Sequence, residues 1–535
     1  MLPLILFPFF LPLALSTITP PILTSGCRLG TKAECEKAMF VPGHTLLGEG
    51  VNIVTMKTTG SFLIDMQHVK RNCTLCNNPF SNNVMQKLPR AMVDWRPQTS
   101  CSRNIASSTS HSKVSMANEA SSEVTNDWKT SLDVNVPTQG GGSVSVGGSH
   151  SDLAKFADSK TVTDKYTFYS QKMHCTQYSF GTSINPPLTT HFNQAVKQLP
   201  ASYNSDTKSV FKNFISLYGT HYITKAEAGG RIKEVTAVKT CQVALSGMKM
   251  DDVKNCLNAE ASITADKGAA SATLSSEVAH CKQKAEQASR GHSFHHMYNE
   301  RWFEVKGGKA TFQLLSGEQD SAAFQKWMES LKTEPGLVSY ALEPIHNLVK
   351  PSQQQNLRKA VSDYIKEMAL TMKCPCSSQP SANGDCSCGC TSSKYTNSDC
   401  CPTRKGEATL EVTIKYANNL YGDFTSQTDA YVKVVFDVAQ QQTQIIDNNN
   451  NPKWNKLLGF GTVELDSFKK IKVEVWDKDM RYDDLLGMCQ EKVTSGSVDK
   501  TCKLNYGTLY YSINVKCSSY LMGEYCRDYS PVPPK

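Results

Sequence analysis

The chain has 535 residues, of which 39% are hydrophobic and 20% charged, a length for two to four domains and a balance that excludes a disordered tail or a polytopic membrane protein. Its net charge of +8 is spread over 57 basic and 49 acidic residues without a Lys/Arg-rich run, so nucleic acid is not an expected partner. The twenty cysteines, many in close pairs, point to a disulfide framework and an exported protein.

Residues 2–15 are almost wholly apolar and uncharged, and Pro3, Pro8 and Pro12 interrupt them. A run that short and broken suits a secretory leader over residues 1–16, with the mature chain starting near Thr17, better than a spanning helix. Asn72-Cys73-Thr74 is a glycosylation sequon. Residues 27–372 read as mixed α and β. Val210, Phe211, Phe214, Ile215 and Tyr218 share one helical face that ends at Gly219, and Leu357, Val361, Tyr364, Ile365 and Met368 share another. Strands are expected at 220–226 and 309–315.

Two stretches, 131–170 and 247–290, fit neither period cleanly. In the first, Val134, Val136, Val144 and Val146 alternate with polar residues, while Leu153, Phe156 and Ala157 have helical spacing. In the second, Ala259, Ala261, Ile263 and Ala265 alternate, as do Ala270, Ala272, Leu274 and Val278 beyond Gly268. Each is long enough for two membrane-crossing strands of about 9–11 residues and a turn. Ser143, Ser145 and Thr264 would then face water. Mixed periodicity is what a segment used in two conformations carries; two surface helices or loops are the plainer reading.

Residues 373–404 hold Cys374, Cys376, Cys386, Cys388, Cys390, Cys400 and Cys401, a density that needs disulfides in place of a core. Residues 405–526 return to alternation, with Leu410, Val412 and Ile414 in one strand and Ile471, Val473 and Val475 in another, as an antiparallel sandwich requires. Residues 527–535 form a tail.

Carboxylates crowd two loops of that sandwich: Asp423 and Asp429 in one, Asp477, Asp479, Asp483 and Asp484 in the other. Calcium takes six to eight oxygens, mostly from carboxylates and carbonyls, so this is the candidate metal site. Tyr421, Phe424, Met480 and Tyr482 lie on the same loops and suit a bilayer interface. His292, His295 and His296 are open to a metal or a pH-sensitive contact. No G-x-S-x-G, H-E-x-x-H or Walker sequence occurs, so an enzyme is not expected.

Tyr218-Gly219-Thr220-His221-Tyr222 and Ala228-Gly229-Gly230-Arg231 resemble the signature and sheet hinge of the membrane attack complex/perforin (MACPF) superfamily. The order of parts is similar too. The resemblance implies an α+β multidomain chain: a MACPF domain over 27–372, with a bent antiparallel sheet and two helical clusters, then an EGF-like module at 373–404 and a C2 domain at 405–526. It implies hinge glycines at Gly229, Gly230, Gly307 and Gly308, and clusters at 131–170 and 247–290 that unfurl into transmembrane hairpins. Asp423, Asp429, Asp477, Asp479 and Asp483 or Asp484 match C2 calcium ligands. The expected partners are a target-cell phospholipid membrane, further copies in a ring, and granzymes as cargo from cytolytic granules. Cys27 and Cys35 would pair with Cys73 and Cys76, Cys101 with Cys175, Cys489 with Cys502, Cys517 with Cys526, and Cys241 with the cysteine cluster. A Cys256–Cys281 bond would have to survive insertion. A non-lytic MACPF adhesion or signalling protein is the alternative.

Overall fold

The computed structural model describes residues 26–137, 143–265, 300–310, 321–372 and 390–533, with Ser276, Ala279, His280, Cys281 and Gln283. The expected leader, the three-histidine group, Cys374 to Cys388, and Ala270, Ala272, Leu274 and Val278 lie outside the described residues.

The N-terminal part is built on an antiparallel sheet. Its long strands are β1 (Met92–Ser110), β2 (Tyr166–Thr182) and β3 (His221–Lys239). Two shorter strands share the far side of β3: β4 (Arg301–Lys306) along its C-terminal half and β5 (Gly336–Pro344) along its N-terminal half. On the opposite flank β1 pairs only with β2, so its outer side has no partner strand among the described residues.

Two long inserts interrupt this sheet. β1 ends at Ser110 opposite Phe168, and residues 111–165 intervene before β2. β3 ends at Lys239 opposite Tyr166, and residues 240–300 precede β4, whose Arg301 faces Thr236. Each insert therefore joins antiparallel neighbours, and both leave from the same end of the sheet. The expected bounds 131–170 and 247–290 need correcting. Residues 166–170 already belong to β2, and the first insert starts earlier, with helix α1 (Lys113–Ala120). The Ser/Thr run 107–110 reads as loop by composition yet lies in β1, so the strand end shows only in the pairing.

α1 starts on a reciprocal cap between Ser112 and Ser115 and buries Val114, Met116 and Ala117. α2 (Asp152–Thr161) follows in the same insert, capped by Ser151. Val134 and Val146 are buried, and Leu132, Val136 and Val144 pack against the same core. α3 (Lys208–Tyr218) buries Phe211, Phe214, Ile215 and Tyr218, but Val210, expected on that face, is exposed. Gly219 ends α3 at φ +82°, a left-handed angle that side chains resist. In the second insert α4 (Met250–Ala265) is helical through the residues whose alternation suggested a strand. Later in this part come α5 (Ser321–Ser330) and α6 (Pro351–Glu367); α6 buries Leu357, Val361 and Ile365. Lys309 and Ala310 are not in a strand, and the rest of the expected 309–315 strand lies outside the described residues.

The C-terminal part is an antiparallel sandwich. One sheet holds β6 (Glu407–Asn418), β9 (Lys453–Glu464), β12 (Gly496–Lys503) and β13 (Thr508–Cys517). The other holds β7 (Ala430–Phe436), β8 (Ala439–Gln442), β10 (Lys470–Asp477) and β11 (Asp484–Lys492). Inward residues of both sheets, Leu410, Val412, Ile414, Val432, Val434, Ile471, Val473 and Val475 among them, form one core. The described cysteines pair as Cys27–Cys76, Cys35–Cys73, Cys101–Cys175, Cys241–Cys401, Cys256–Cys281, Cys390–Cys400, Cys489–Cys502 and Cys517–Cys526.

Candidate functional site

Three loops meet at one end of the sandwich. β7 begins and β10 ends there, and their pairing sets Ala430 against Asp477. β11 starts there with Asp484 opposite Asp477. Asp477 is fully buried; its Oδ1 accepts from the Asp429 amide at 2.7 Å, and its Oδ2 has no hydrogen-bond partner among the described residues. A Cβ at Gly422 would collide with that oxygen, so glycine leaves the space in front of it open. Burial, and then the charges of Asp423, Asp479 and Asp429, push Asp477 up to about 6. Burial and the same neighbourhood also raise Asp479. An orphaned, buried carboxylate oxygen beside further carboxylates fits a divalent cation. The groups are gathered without being closed on a centre: among the described residues no three metal-ligating side chains already form a coordination set.

Asp483 stands apart. Its Oδ1 accepts from Lys478 Nζ at 2.8 Å and its Oδ2 from the Tyr431 hydroxyl at 2.8 Å. The Lys478 and Tyr431 hydrogen bonds hold its carboxyl below the usual range. Asp484 is exposed and has no such bond among the described residues. Asn450, which the sequence reading missed, braces the first loop. Its Oδ1 accepts from Thr428 N at 3.0 Å and Thr428 Oγ1 at 2.8 Å, and Thr428 Oγ1 accepts from Gly422 N at 3.1 Å. Asn448 N donates to Asp429 Oδ1 at 2.6 Å. The only signal in the sequence was a run of four asparagines.

Phe424, Met480 and Tyr482 project almost wholly into solvent, and Tyr421 is 44% exposed. Tyr506, from the β12–β13 turn, joins them. It is exposed and meets Tyr421 edge-on, with ring centroids 5.6 Å apart. A lone tyrosine in an Asn-Tyr-Gly turn gave no hint of this.

The second region surrounds the expected hinge glycines of the large sheet. Gly229 and Gly230 lie where the partner of β3 changes from β5 to β4. Their conformations are ordinary; space is what they supply. A Cβ on Gly229 would strike the Cys175 carbonyl, and one on Gly230 would come within 2.5 Å of Trp327 and Leu331. Gly307 and Gly308, which the resemblance places on a neighbouring strand, lie instead in the turn after β4, at φ +74° and +67°. Trp327 Nε1 donates to the Gly307 carbonyl at 2.8 Å, so α5 is tied to the turn after β4.

On the opposite sheet face, buried charges hold the first insert. Arg231 pairs with Glu123 at 2.5 Å and Glu304 at 2.5 Å. Glu119, on α1, takes Lys172 at 2.6 Å and Lys233 at 3.5 Å. Burial, then the Lys172 charge, lower Lys233 to about 8. His221 is fully buried beneath the same insert. Its Nε2 lies 3.2 Å from the Trp128 carbonyl, which can only accept, and its Nδ1 lies 2.8 Å from Thr220 Oγ1. Burial drives it down to about 3, so it packs as a neutral ring. Asn72 is exposed.

Comparison with known proteins agrees with this layout. The MAC/Perforin domain model matches residues 40–373 and the C2 domain model residues 408–505. Perforin-1 of Mus musculus is 41% identical over 534 residues, covering 97% of this chain and 96% of that protein. Perforin-1 of Homo sapiens is 38% identical over 520 residues, covering 94% and 93%. The complement component C8 alpha chain of Oryctolagus cuniculus is 26% identical over 300 residues, 51% of this chain and 49% of that one. With an antiparallel sheet that carries two inserts, a C2 sandwich behind it, and full-length relatives at this identity, the chain belongs to the MAC/Perforin family.

Proposed function

We propose that this pore-forming, cytolytic protein docks on a bilayer through its calcium-loaded C2 loops, assembles edge to edge, and converts both inserts into membrane-crossing β-hairpins. Strand register carries the reading. Continuing the β1–β2 pairing beyond Ser110 and Phe168 brings Leu132 opposite Val146 and Val134 opposite Val144, and the legs meet at Gln139, between Pro137 and Gly140. Continuing β3–β4 brings Ile263 opposite Leu274, and the legs meet at Gly268 and Ala269. Continuing β2–β3 brings Val146 opposite Ala259 and Val144 opposite Ala261. Three independent pairings thus put the apolar members of all four legs on one face and Ser143, Ser145 and Thr264 on the other. A one-residue error in any pairing would have mixed the faces. Both tips carry turn formers and reach nearly the same depth.

Asp423, Asp429, Asp477, Asp479 and Asp484 are the residues that would hold calcium, with Asp483 engaged by Lys478 and Tyr431. Bound calcium supplies positive charge that offsets the carboxylates and attracts lipid phosphate; sites of this extracellular kind bind at about 10⁻⁴–10⁻³ M. Tyr421, Phe424, Met480, Tyr482 and Tyr506 then enter the interface. Unpaired backbone at a sheet edge costs several kcal/mol per group in lipid, so neighbours must pair edges and close a ring. Secretion, a glycan on Asn72, granule storage and granzyme passage belong to the same reading.

The test is dye release from vesicles with and without calcium, using environment-sensitive labels at Val146 and Ile263. The expected result is calcium-dependent leakage with both labels entering hydrocarbon. Leakage with either label remaining in water throughout would overturn it. A non-lytic adhesion protein would bind vesicles without release.

A further inference from the structure

The pairing of β3 with β4 bears on a feature that pore formation has to accommodate. Cys256 and Cys281 are bonded in the compact protein, Cα atoms 5.6 Å apart, within a small core that includes Val238, Val253 and Leu257. Cys256 lies twenty residues beyond Thr236, and Cys281 lies twenty residues before Arg301, the strand partner of Thr236. The two offsets are equal. Were the insert to continue the strands in register, the two cysteines would face each other directly across neighbouring legs.

We infer that the Cys256–Cys281 disulfide passes unbroken from the compact protein into the pore, where it becomes a cross-strand bond that fixes the register of the second hairpin and marks the base of its membrane-crossing part. The inference rests on the hairpin reading of the previous section and adds what that reading lacks, a covalent register pin. Directly opposed residues of antiparallel strands have Cα atoms about 4.5–5.5 Å apart, inside the range of about 4.4–6.8 Å that a disulfide spans. A bond between legs at unequal offsets would force a slip or have to break, because one residue of slip turns a side chain to the opposite face. The residues between the two cysteines, 257–280, number twenty-four. That is two strands of about 11 residues and a two-residue turn, against the 9–11 residues a bilayer-crossing strand needs. Cys256 also shares its strand face with Ser262 and Thr264, so the bond lies on the water side of the wall.

The bond can be mapped in the full-length protein on phosphatidylcholine–cholesterol vesicles with calcium. Pores extracted in detergent and digested without reductant should yield the Cys256–Cys281 peptide pair at the same abundance as the soluble protein. Free or re-paired thiols in the lytic fraction would overturn the inference. A second variant, Cys281→Ser with His280→Cys, moves the bond one residue out of register. Molecules of this variant in which Cys256 is mapped as bonded to position 280 should bind vesicles as the wild type does, release dye at least tenfold less, and recover on reduction. Full release by that oxidised variant would overturn the register pin. Absence of any release from the wild type would instead count against the hairpin reading itself.

Discussion

His221, in the signature turn, serves packing. Its ring is sealed between Thr220 and the Trp128 carbonyl and is held down to about 3, against about 6.5 when unfolded. The unfolded chain therefore takes up a proton that the folded chain refuses, and stability, complete above the unfolded value, is lost as pH falls from about 6.5 towards 3. Between pH 7 and pH 5 this one group withdraws about 2 kcal/mol at about 1.4 kcal/mol per pKa unit, and His346, also lowered by burial, acts in the same direction. Denaturant midpoints at the two pH values check this: the His221→Gln variant should show a visibly shallower fall than the wild type. Equal slopes would refute it. The two adjacent aspartates should separate as sharply. Asp484→Asn is expected to raise the calcium needed for vesicle binding at least tenfold, whereas Asp483→Asn, which weakens the contacts with Lys478, Tyr431 and the Asp479 amide, should shift it less than threefold in the same titration. The aspartates were legible in the sequence because strand alternation on either side fixed them at loop ends. The contact between Asp483 and Tyr431 was not, since only the fold brings that tyrosine near.

Among the elements, α1 has the clearest part to play. It lies in the first leg of the proposed hairpin, so it must unwind if β1 extends, yet Glu119 on it and Glu123 just beyond it are ion-paired to buried Arg231 and Lys233. Removing one partner of a buried pair costs up to about 3–5 kcal/mol, and less at Arg231, which keeps Glu304. Glu123→Gln should therefore lower the melting temperature by several degrees and shorten the lag before dye release, with calcium-dependent binding unchanged. An unaltered lag in stopped-flow release would remove α1 from the opening step. The sequence revealed α3 and α6 by their apolar stripes, and the sandwich strands by period two. It could not locate α1, whose buried face is Val114, Met116 and Ala117 among serines, too small a stripe to stand out. Nor did it separate the two uses of glycine at the expected hinge, because room for a neighbour's ring and a left-handed angle look the same in one letter.

At the level of the whole molecule, the fold class and the order of the two matched domains were readable because each has its own pattern: a mixed α and β core, then a two-sheet sandwich. The limits of the inserts were not, because a strand's end is set by its partner and the partner lies scores of residues away. Assembly predicts its own signature. If sheet edges must meet before insertion, leakage at fixed calcium should rise more steeply than linearly with protein concentration, while membrane binding rises in simple proportion. A linear rise in leakage would argue for insertion by single chains.

The flank of β1 that meets no partner strand among the described residues has a practical side. An extended strand with its amide and carbonyl groups unclaimed accepts any backbone of matching direction, whether a sister molecule on a cell or a stray peptide in a flask. Stocks kept concentrated should cloud on standing with no lipid present, and Pro97 interrupts that flank too briefly to prevent it. By the same chemistry, a short synthetic peptide laid along residues 92–110 would leave each arc one seam short of closing, an antidote that need not touch calcium, lipid or hinge.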